Sequence, residues 1–72
     1  EKQSVINSIH RLISNYQDQT FSARAIARIF HGIESPNFPA LVWARTPFWR
    51  SALDEDFNAL YRLACRELIK FR

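Results

Sequence analysis

The first segment of the chain carries apolar residues at intervals of three, four and seven. They are Val5, Ile6, Ile9, Leu12, Ile13 and Tyr16. This spacing is typical of an amphipathic helix, because positions three and four apart share one helical face. We expect the helix to begin at Ser4, whose hydroxyl can accept a hydrogen bond from a first-turn amide. The polar residues 17–20 end it.

A second helix is predicted between Ser22 and Gly32, which supply an N-cap hydroxyl and a residue that tolerates the left-handed conformation. At about 100° per residue, one face collects the large apolar residues Ile26, Ile29, Phe30 and Ile33. The opposite face collects the cationic residues Arg24, Arg28 and His31. The remaining positions hold Ala23, Ala25 and Ala27, which would let another backbone or a phosphate strand approach.

The stretch from Glu34 to Pro47 contains all three prolines, which suit a first helical position and not a helix interior. Residues 39–45 fit either a short helix or an extended segment, because their Leu-Val-Trp core favours strands locally. We favour the helix. Thr46 and Pro47 then predict the start of another short helix over residues 48–53.

The last helix is predicted to be capped by Asp54, with further acids at its positive end. Its apolar stripe is Phe57, Leu60, Tyr61, Ala64, Leu68 and Phe71, and its end carries Arg62, Arg66, Lys70 and Arg72. The fold class is therefore all-α, a small bundle of four or five helices around one aromatic core. The helices on either side of Gly32 are also candidates for a helix-turn-helix, although residues 32–38 form a longer connection than usual.

Length and composition exclude several classes of function. We expect one domain over residues 1–72, excised from a larger chain because the sequence has no methionine. A single glycine excludes a Gly-rich phosphate loop. Cys65, His10 and His31 are too few and too scattered for a zinc site. No run of about 18 apolar residues and no secretory leader is present, so we expect no membrane association.

The acidic and thiol side chains do not predict catalysis. Asp54, Glu55 and Asp56 are consecutive, so their carboxylates fan apart and fit helix capping better than acid–base chemistry. Cys65 has no base nearby in sequence and fits a small core residue. We therefore expect no catalytic residue, no metal and no cofactor in this chain, which is not an enzyme by itself.

The net charge of +3 lies entirely between residues 24 and 53. Four arginines, Arg24, Arg28, Arg45 and Arg50, stand there against Glu34 alone. Such asymmetry indicates an anionic partner. Arginines four apart on one helical face can contact successive phosphates, and His31 can add a donor. The alternative, a solvated helix face with a histidine favoured by its C-terminal position, is slightly preferred from the pattern alone.

Aromatic residues near Arg45 and Arg50 form a second candidate site. Trp43, Phe48 and Trp49 can stack on bases while the arginines bind the backbone. In so short a chain, however, the core interpretation is favoured for all three aromatic residues. Of them, Trp49 is retained as a candidate nucleic-acid contact.

Residues 21–33, Phe-Ser-Ala-Arg-Ala-Ile-Ala-Arg-Ile-Phe-His-Gly-Ile, followed by Ser35-Pro36 and Phe38-Pro39-Ala40, form a distinctive block. The block resembles the extreme C-terminal region of RecQ-type DNA helicases of the Rothmund–Thomson branch, the fourth RecQ paralogue. The likeness continues weakly through Phe48-Trp49-Arg50 to Leu68. The sequence differs from the winged-helix and HRDC modules of other RecQ enzymes, since neither wing strands nor an HRDC-like motif is present.

The resemblance implies a parent enzyme that is an ATP-dependent 3′-to-5′ DNA helicase in nuclear DNA replication and repair. ATP and Mg²⁺ would bind the parent outside this chain, which has no Walker motif. By position in the parent, the chain would be an accessory module that binds single-stranded, forked or duplex DNA without sequence preference. It would be monomeric and would lie against the helicase core.

Three hypotheses stay open at this point. The first is a nucleic-acid-binding module that uses Arg24, Arg28, His31, Arg45, Arg50 and Trp49. The second is a protein-interaction or intramolecular docking module, in which the basic face and exposed aromatics meet an acidic surface. The third is a structural helical cap. The resemblance favours the first.

Overall fold

The structure is a computed structural model that describes residues 3–70. It contains four helices, α1 (Gln3–Asn15), α2 (Ala23–His31), α3 (Ala40–Trp43) and α4 (Phe57–Ile69), and these residues include no β-strand. The predicted all-α bundle of four or five helices is confirmed. Two residues that the pattern predicts for the last helix, Phe71 and Arg72, lie outside the described part of the chain.

The core forms where α2 and α1 pack against α4. The largest fully buried apolar side chains are Phe30, Ile9, Leu12, Ile26, Ile29 and Leu60. Trp43 and Phe48 join this core, as the core interpretation of both residues predicts. The ring of Tyr16, the residue after α1, lies 4.8 Å from the Trp43 ring of α3, centroid to centroid, so the aromatic core joins the end of α1 to α3. Within residues 3–70, no helix has the length and apolar character needed to cross a bilayer.

Both predicted ends of α2 are confirmed. The Ser22 hydroxyl accepts a hydrogen bond from the Ala25 N–H at 3.1 Å, and Gly32 has a φ of +69°. Because the chain leaves the helix at Gly32, Ile33 is 44% exposed and not on the buried face as predicted. The three alanines of α2, expected to admit a neighbouring strand, are instead buried in the core.

The short helix α3 confirms the helical interpretation of residues 39–45. The Glu34 carboxylate accepts a hydrogen bond from the Ala40 N–H at 3.1 Å and so satisfies the start of this single turn. Residues 32–39 separate α2 from α3. This connection is longer, and α3 shorter, than in a helix-turn-helix of ordinary dimensions.

The predicted helix over residues 48–53 is wrong, because residues 47–54 form successive turns. The Arg50 N–H donates to the Ile29 carbonyl oxygen at 3.0 Å, and the Ala52 N–H donates to the Phe30 carbonyl oxygen at 3.1 Å. These amides satisfy the C-terminal carbonyls of α2 and are therefore not available for hydrogen bonds within a helix. Thr46 donates its hydroxyl back to the Trp43 carbonyl at 2.8 Å and does not begin a helix.

Two predicted N-caps are displaced. Helix α1 begins at Gln3, so Ser4 lies within its first turn and is not the cap. Helix α4 is capped by Asp56, whose carboxylate accepts a hydrogen bond from the Ala59 N–H at 3.0 Å. Asp54 is not the cap, because it still belongs to the turns that precede α4. These turns include the hydrogen bond from the Glu55 N–H to the Ala52 carbonyl oxygen.

Candidate nucleic-acid interface

A groove of about 420 Å³ lies between α2 and the turn over residues 35–38. Helix α2 contributes Arg24 and Arg28 to its lining, and the chain before the helix contributes Thr20 and Ser22. The turn contributes Ser35, Pro36, Asn37 and Phe38. We call this surface the arginine groove. Within the described part of the chain, no acidic residue lines it.

The two arginines project from successive turns of one helix. Their spacing of four residues corresponds to about 6 Å of rise along α2, on nearly the same face. Arg24 is exposed and Arg28 is half-buried. Within residues 3–70, no ion pair and no side-chain hydrogen bond engages either guanidinium. Glu34, the one acid of residues 24–53, is instead bonded to the start of α3.

The remaining polar groups of the arginine groove are hydrogen-bond donors of the kind that phosphate oxygens accept. The Ser22 oxygen accepts the Ala25 N–H and still carries a proton to donate. Asn37 is exposed and its amide nitrogen carries two protons. The groove therefore combines two fixed positive charges with neutral donors, which is the chemistry of phosphodiester binding.

An aromatic pair supports the groove from beneath. Phe21 and Phe38 stack with ring centroids 5.3 Å apart and an interplanar angle of 13°. Phe38 is buried and also meets the edge of Trp43, at 5.2 Å between centroids. The turn that carries Asn37 is thereby fixed to the core, and its Ser35 and Phe38 backbones are hydrogen-bonded to each other.

His31 lies at the joint between α2 and the segment that enters α4. Its Nε2 donates to the Glu55 carbonyl oxygen at 2.7 Å, and its ring meets the Phe57 ring edge-on at 5.5 Å. The imidazole is half-buried. The proton that would reach a phosphate from Nε2 is thus already donated within the protein.

The other three predicted contacts do not line the arginine groove. Arg50 has a φ of +59°, and its side chain lies on Gly32, in the space that a Cβ atom there would occupy. Arg50 is therefore at the C-terminal end of α2, away from Arg24. Trp49 is half-buried against the core, and Arg45 is exposed in the turn after α3.

One buried carboxylate, that of Glu67, is not predicted from the sequence. Glu67 of α4 is fully buried, and His10 Nε2 of α1 lies 2.5 Å from its Oε1. Arg66 Nε and Lys70 Nζ lie 2.9 Å and 3.3 Å from its Oε2. The hydrogen bond from His10, reinforced by Arg66 and Lys70 and opposed by burial, lowers the pKa of Glu67 to about 2. Its position seven residues after Leu60, on the buried stripe, is the signal that could have identified it.

No group of three or more His, Cys, Asp or Glu side chains within residues 3–70 is arranged around a common point. Cys65 is a half-buried free thiol packed against the core, in agreement with its predicted role.

Three curated proteins are similar to this chain over most of its length. They are the mouse ATP-dependent DNA helicase Q4 (48% identity over 62 residues, 85% of this chain), the human ATP-dependent DNA helicase Q4 (46% over 63 residues, 86%) and the Arabidopsis thaliana ATP-dependent DNA helicase Q-like 5 (47% over 60 residues, 83%). The chain spans only 5% or 6% of the length of these relatives. No family model and no solved structure matches it.

Proposed function

Because this chain is homologous to a short segment of RecQ-type DNA helicases, we propose that it is the accessory nucleic-acid-binding module of such an enzyme. In this proposal the parent is an ATP-dependent 3′-to-5′ helicase of nuclear DNA replication and repair. ATP and Mg²⁺ act elsewhere in the parent. The chain serves as one monomeric domain that binds DNA without sequence preference.

The observation that carries the proposal is the state of Arg24 and Arg28. Among the described residues, none engages either guanidinium, and none that lines their shared groove is acidic. Exposed cations without acidic partners raise the local concentration of an anionic polymer. Their spacing on successive turns lets each bind a phosphate of the same strand.

The other predicted residues have smaller parts in this mechanism. Arg45 is exposed and can add long-range attraction. Arg50 lies against Gly32, so it extends the positive charge to the far end of α2. His31 acts through the position it gives α2 relative to α4, since its Nε2 is bonded to Glu55. Trp49 packs against the core and presents only part of its ring.

The test is fluorescence anisotropy of labelled single-stranded, duplex and forked DNA against this chain at two salt concentrations. We expect dissociation constants on the order of 10⁻⁴–10⁻⁶ M, as for sequence-independent binding. With two phosphate contacts in the groove, and up to two more from Arg45 and Arg50, the logarithmic salt slope on duplex DNA should lie between about −2 and −3.5. The variant Arg24→Glu/Arg28→Glu should lose binding while its helical circular dichroism spectrum is retained.

The matched control is Arg11→Glu/Arg62→Glu, which reverses two exposed arginines on α1 and α4. Each Arg→Glu change removes two units of charge, so both double variants go from +3 to −1. Loss of binding in the first and retention in the second would locate the effect in the groove. Equal losses would show that the loss of binding depends on net charge alone and not on the groove. A wild-type chain that does not bind DNA at low salt would reject the proposal.

A second candidate function, docking onto the helicase core of the parent, is favoured by one observation. Leu41 and Val42 of α3 are 81% and 59% exposed, and Arg45 follows them on the surface. An exposed apolar pair beside a cation fits a protein surface better than a phosphate chain. A chain that ignores DNA but binds a core fragment, with loss of that binding in Leu41→Ser/Val42→Ser, would establish this function instead.

A further inference from the structure

A second groove, of about 370 Å³, lies between the start of α2 and the face of α4 that runs from Tyr61 to Ile69. Most of its lining is apolar, and the side chains that matter here are Phe21, Ala23, Tyr61, Leu68 and Ile69. None of the described residues that line it is acidic or basic. We call it the apolar groove. Its volume lies within the range of sites that take a small organic group.

The apolar groove adjoins the arginine groove. Phe21 and Ser22 line both, so the two grooves meet where the chain enters α2. One face of the Phe21 ring stacks on Phe38, and the ring is only half-buried. The Phe21 side chain therefore separates the two grooves, with the arginine groove on one side and the apolar groove on the other.

The apolar groove contains large side chains that the fold does not bury. Tyr61 is 40% exposed and Ile69 is 66% exposed. The Tyr61 ring makes no contact with another aromatic ring within residues 3–70. An aromatic ring that is accessible beside a cationic groove is the arrangement by which proteins bind an unpaired base next to its phosphate.

We infer that the apolar groove receives a base of a single strand whose phosphates lie at Arg24 and Arg28. This inference rests on the proposed function and narrows its substrate to single-stranded nucleic acid. Bases are covered on both faces within a duplex and are exposed only when the strand is unpaired. Among residues 3–70, no cation lines the apolar groove, so these side chains give a duplex backbone nothing to bind. Phosphate binding and base binding are thus assigned to different residues.

The assignment to Tyr61 differs from the sequence prediction, which places the base contact at Trp49. Trp49 does not line either groove. Tyr61 lies one turn after Phe57 on the helix that packs against α2, so only the packing of the two helices brings it beside Phe21.

The experiment compares Tyr61→Ala with wild type on three labelled ligands at one salt concentration. They are a single-stranded oligonucleotide, an abasic strand of the same length and charge, and the corresponding duplex. We expect Tyr61→Ala to weaken binding of the base-containing strand about fivefold or more, as removal of one stacking ring does. Binding of the abasic strand and of the duplex should not change. Tyr61→Phe, which keeps the ring, should bind the single strand as wild type does.

A second variant keeps the test valid if Tyr61→Ala does not fold. Ile69→Gln changes a well-exposed side chain near the end of α4 and should selectively weaken single-strand binding as well. Unchanged single-strand affinity in both variants, or an equal loss on the abasic strand, would overturn the inference. In that case Arg24→Glu/Arg28→Glu would still weaken every ligand, and the proposed function would stand. If wild type binds none of the three ligands, the proposed function itself fails.

Discussion

Two groups of basic side chains in this domain have opposite surroundings. His10, Arg66 and Lys70 converge on the buried carboxylate of Glu67. Arg24 and Arg28 line a groove in which residues 3–70 place no acid. The first group we call the Glu67 cluster; it joins α1 to α4 and is satisfied within the protein. The second group has no partner among the described residues.

The contrast between the two groups shows which charges stabilise the fold and which remain for a ligand. A carboxylate without solvent contact needs its hydrogen bonds, so the cations around Glu67 are committed to the folded state. Unpaired surface cations contribute little to folding and keep their charge for an external anion. The sums of charge agree, because residues 54–72 are neutral in total while residues 24–53 hold the whole +3.

Replacing Glu67 should have the largest effect on stability. In Glu67→Gln the side chain loses its negative charge, so Arg66 and Lys70 lose the anion that they contact. The neutral His10 ring can accept from the new amide through its other tautomer, so the loss lies with the two cations. The variant therefore loses the charge-assisted hydrogen bonds of this buried position. We expect the greatest fall in Tm among the substitutions compared in this section, measured by circular dichroism at pH 7.

The matched control for this change is Glu34→Gln. Glu34 is exposed and accepts one hydrogen bond, from the Ala40 N–H, which a glutamine oxygen can also accept. Its Tm should stay close to that of wild type. Similar Tm values for the two glutamine variants would show that the Glu67 cluster does not stabilise the domain.

Acid should remove the same contribution gradually. The pKa of Glu67 is lowered from 4.5 to about 2 in the folded chain, so the unfolded chain binds the proton more readily. The stabilisation is therefore complete above pH 4.5 and is lost as the pH falls from there toward 2. We expect the Tm difference between wild type and Glu67→Gln to shrink over that interval. Parallel Tm curves from pH 5 to pH 2 would contradict the assignment.

Local chemistry predicts α2 well and the segment after α3 poorly. Ser22 and Gly32 define the helix ends by interactions within a few residues, so the sequence contains the necessary information. The turns over residues 47–54 form because the Arg50 and Ala52 amides bond to α2 carbonyls some twenty residues earlier. No local pattern encodes those bonds, and residues 48–53 therefore resemble a helix in sequence.

The residues of the candidate site also differ in whether local sequence predicts their positions. Arg24 and Arg28 share a helical face, and their spacing alone places them together. Asn37 and Tyr61 reach their grooves through the packing of a turn and of α4 against α2, which spacing cannot predict. Glu67 is the intermediate case, since its register on the apolar stripe predicts burial but not the identity of its partner on α1.

We expect the smallest change in stability for substitutions of Arg24 and Arg28, which should have the greatest effect on DNA binding. In Arg24→Gln/Arg28→Gln no ion pair is lost, so the free energy of unfolding should change by no more than about 0.5 kcal/mol. Arg66→Gln, which removes the hydrogen bond to Glu67, should be more destabilising although it alters only one residue. Urea unfolding of both variants, with anisotropy on single-stranded DNA in parallel, separates the two groups. If the Arg24/Arg28 variant is as unstable as the Arg66 variant, the arginines of the groove maintain the fold, and the distinction between the groove and the Glu67 cluster is lost.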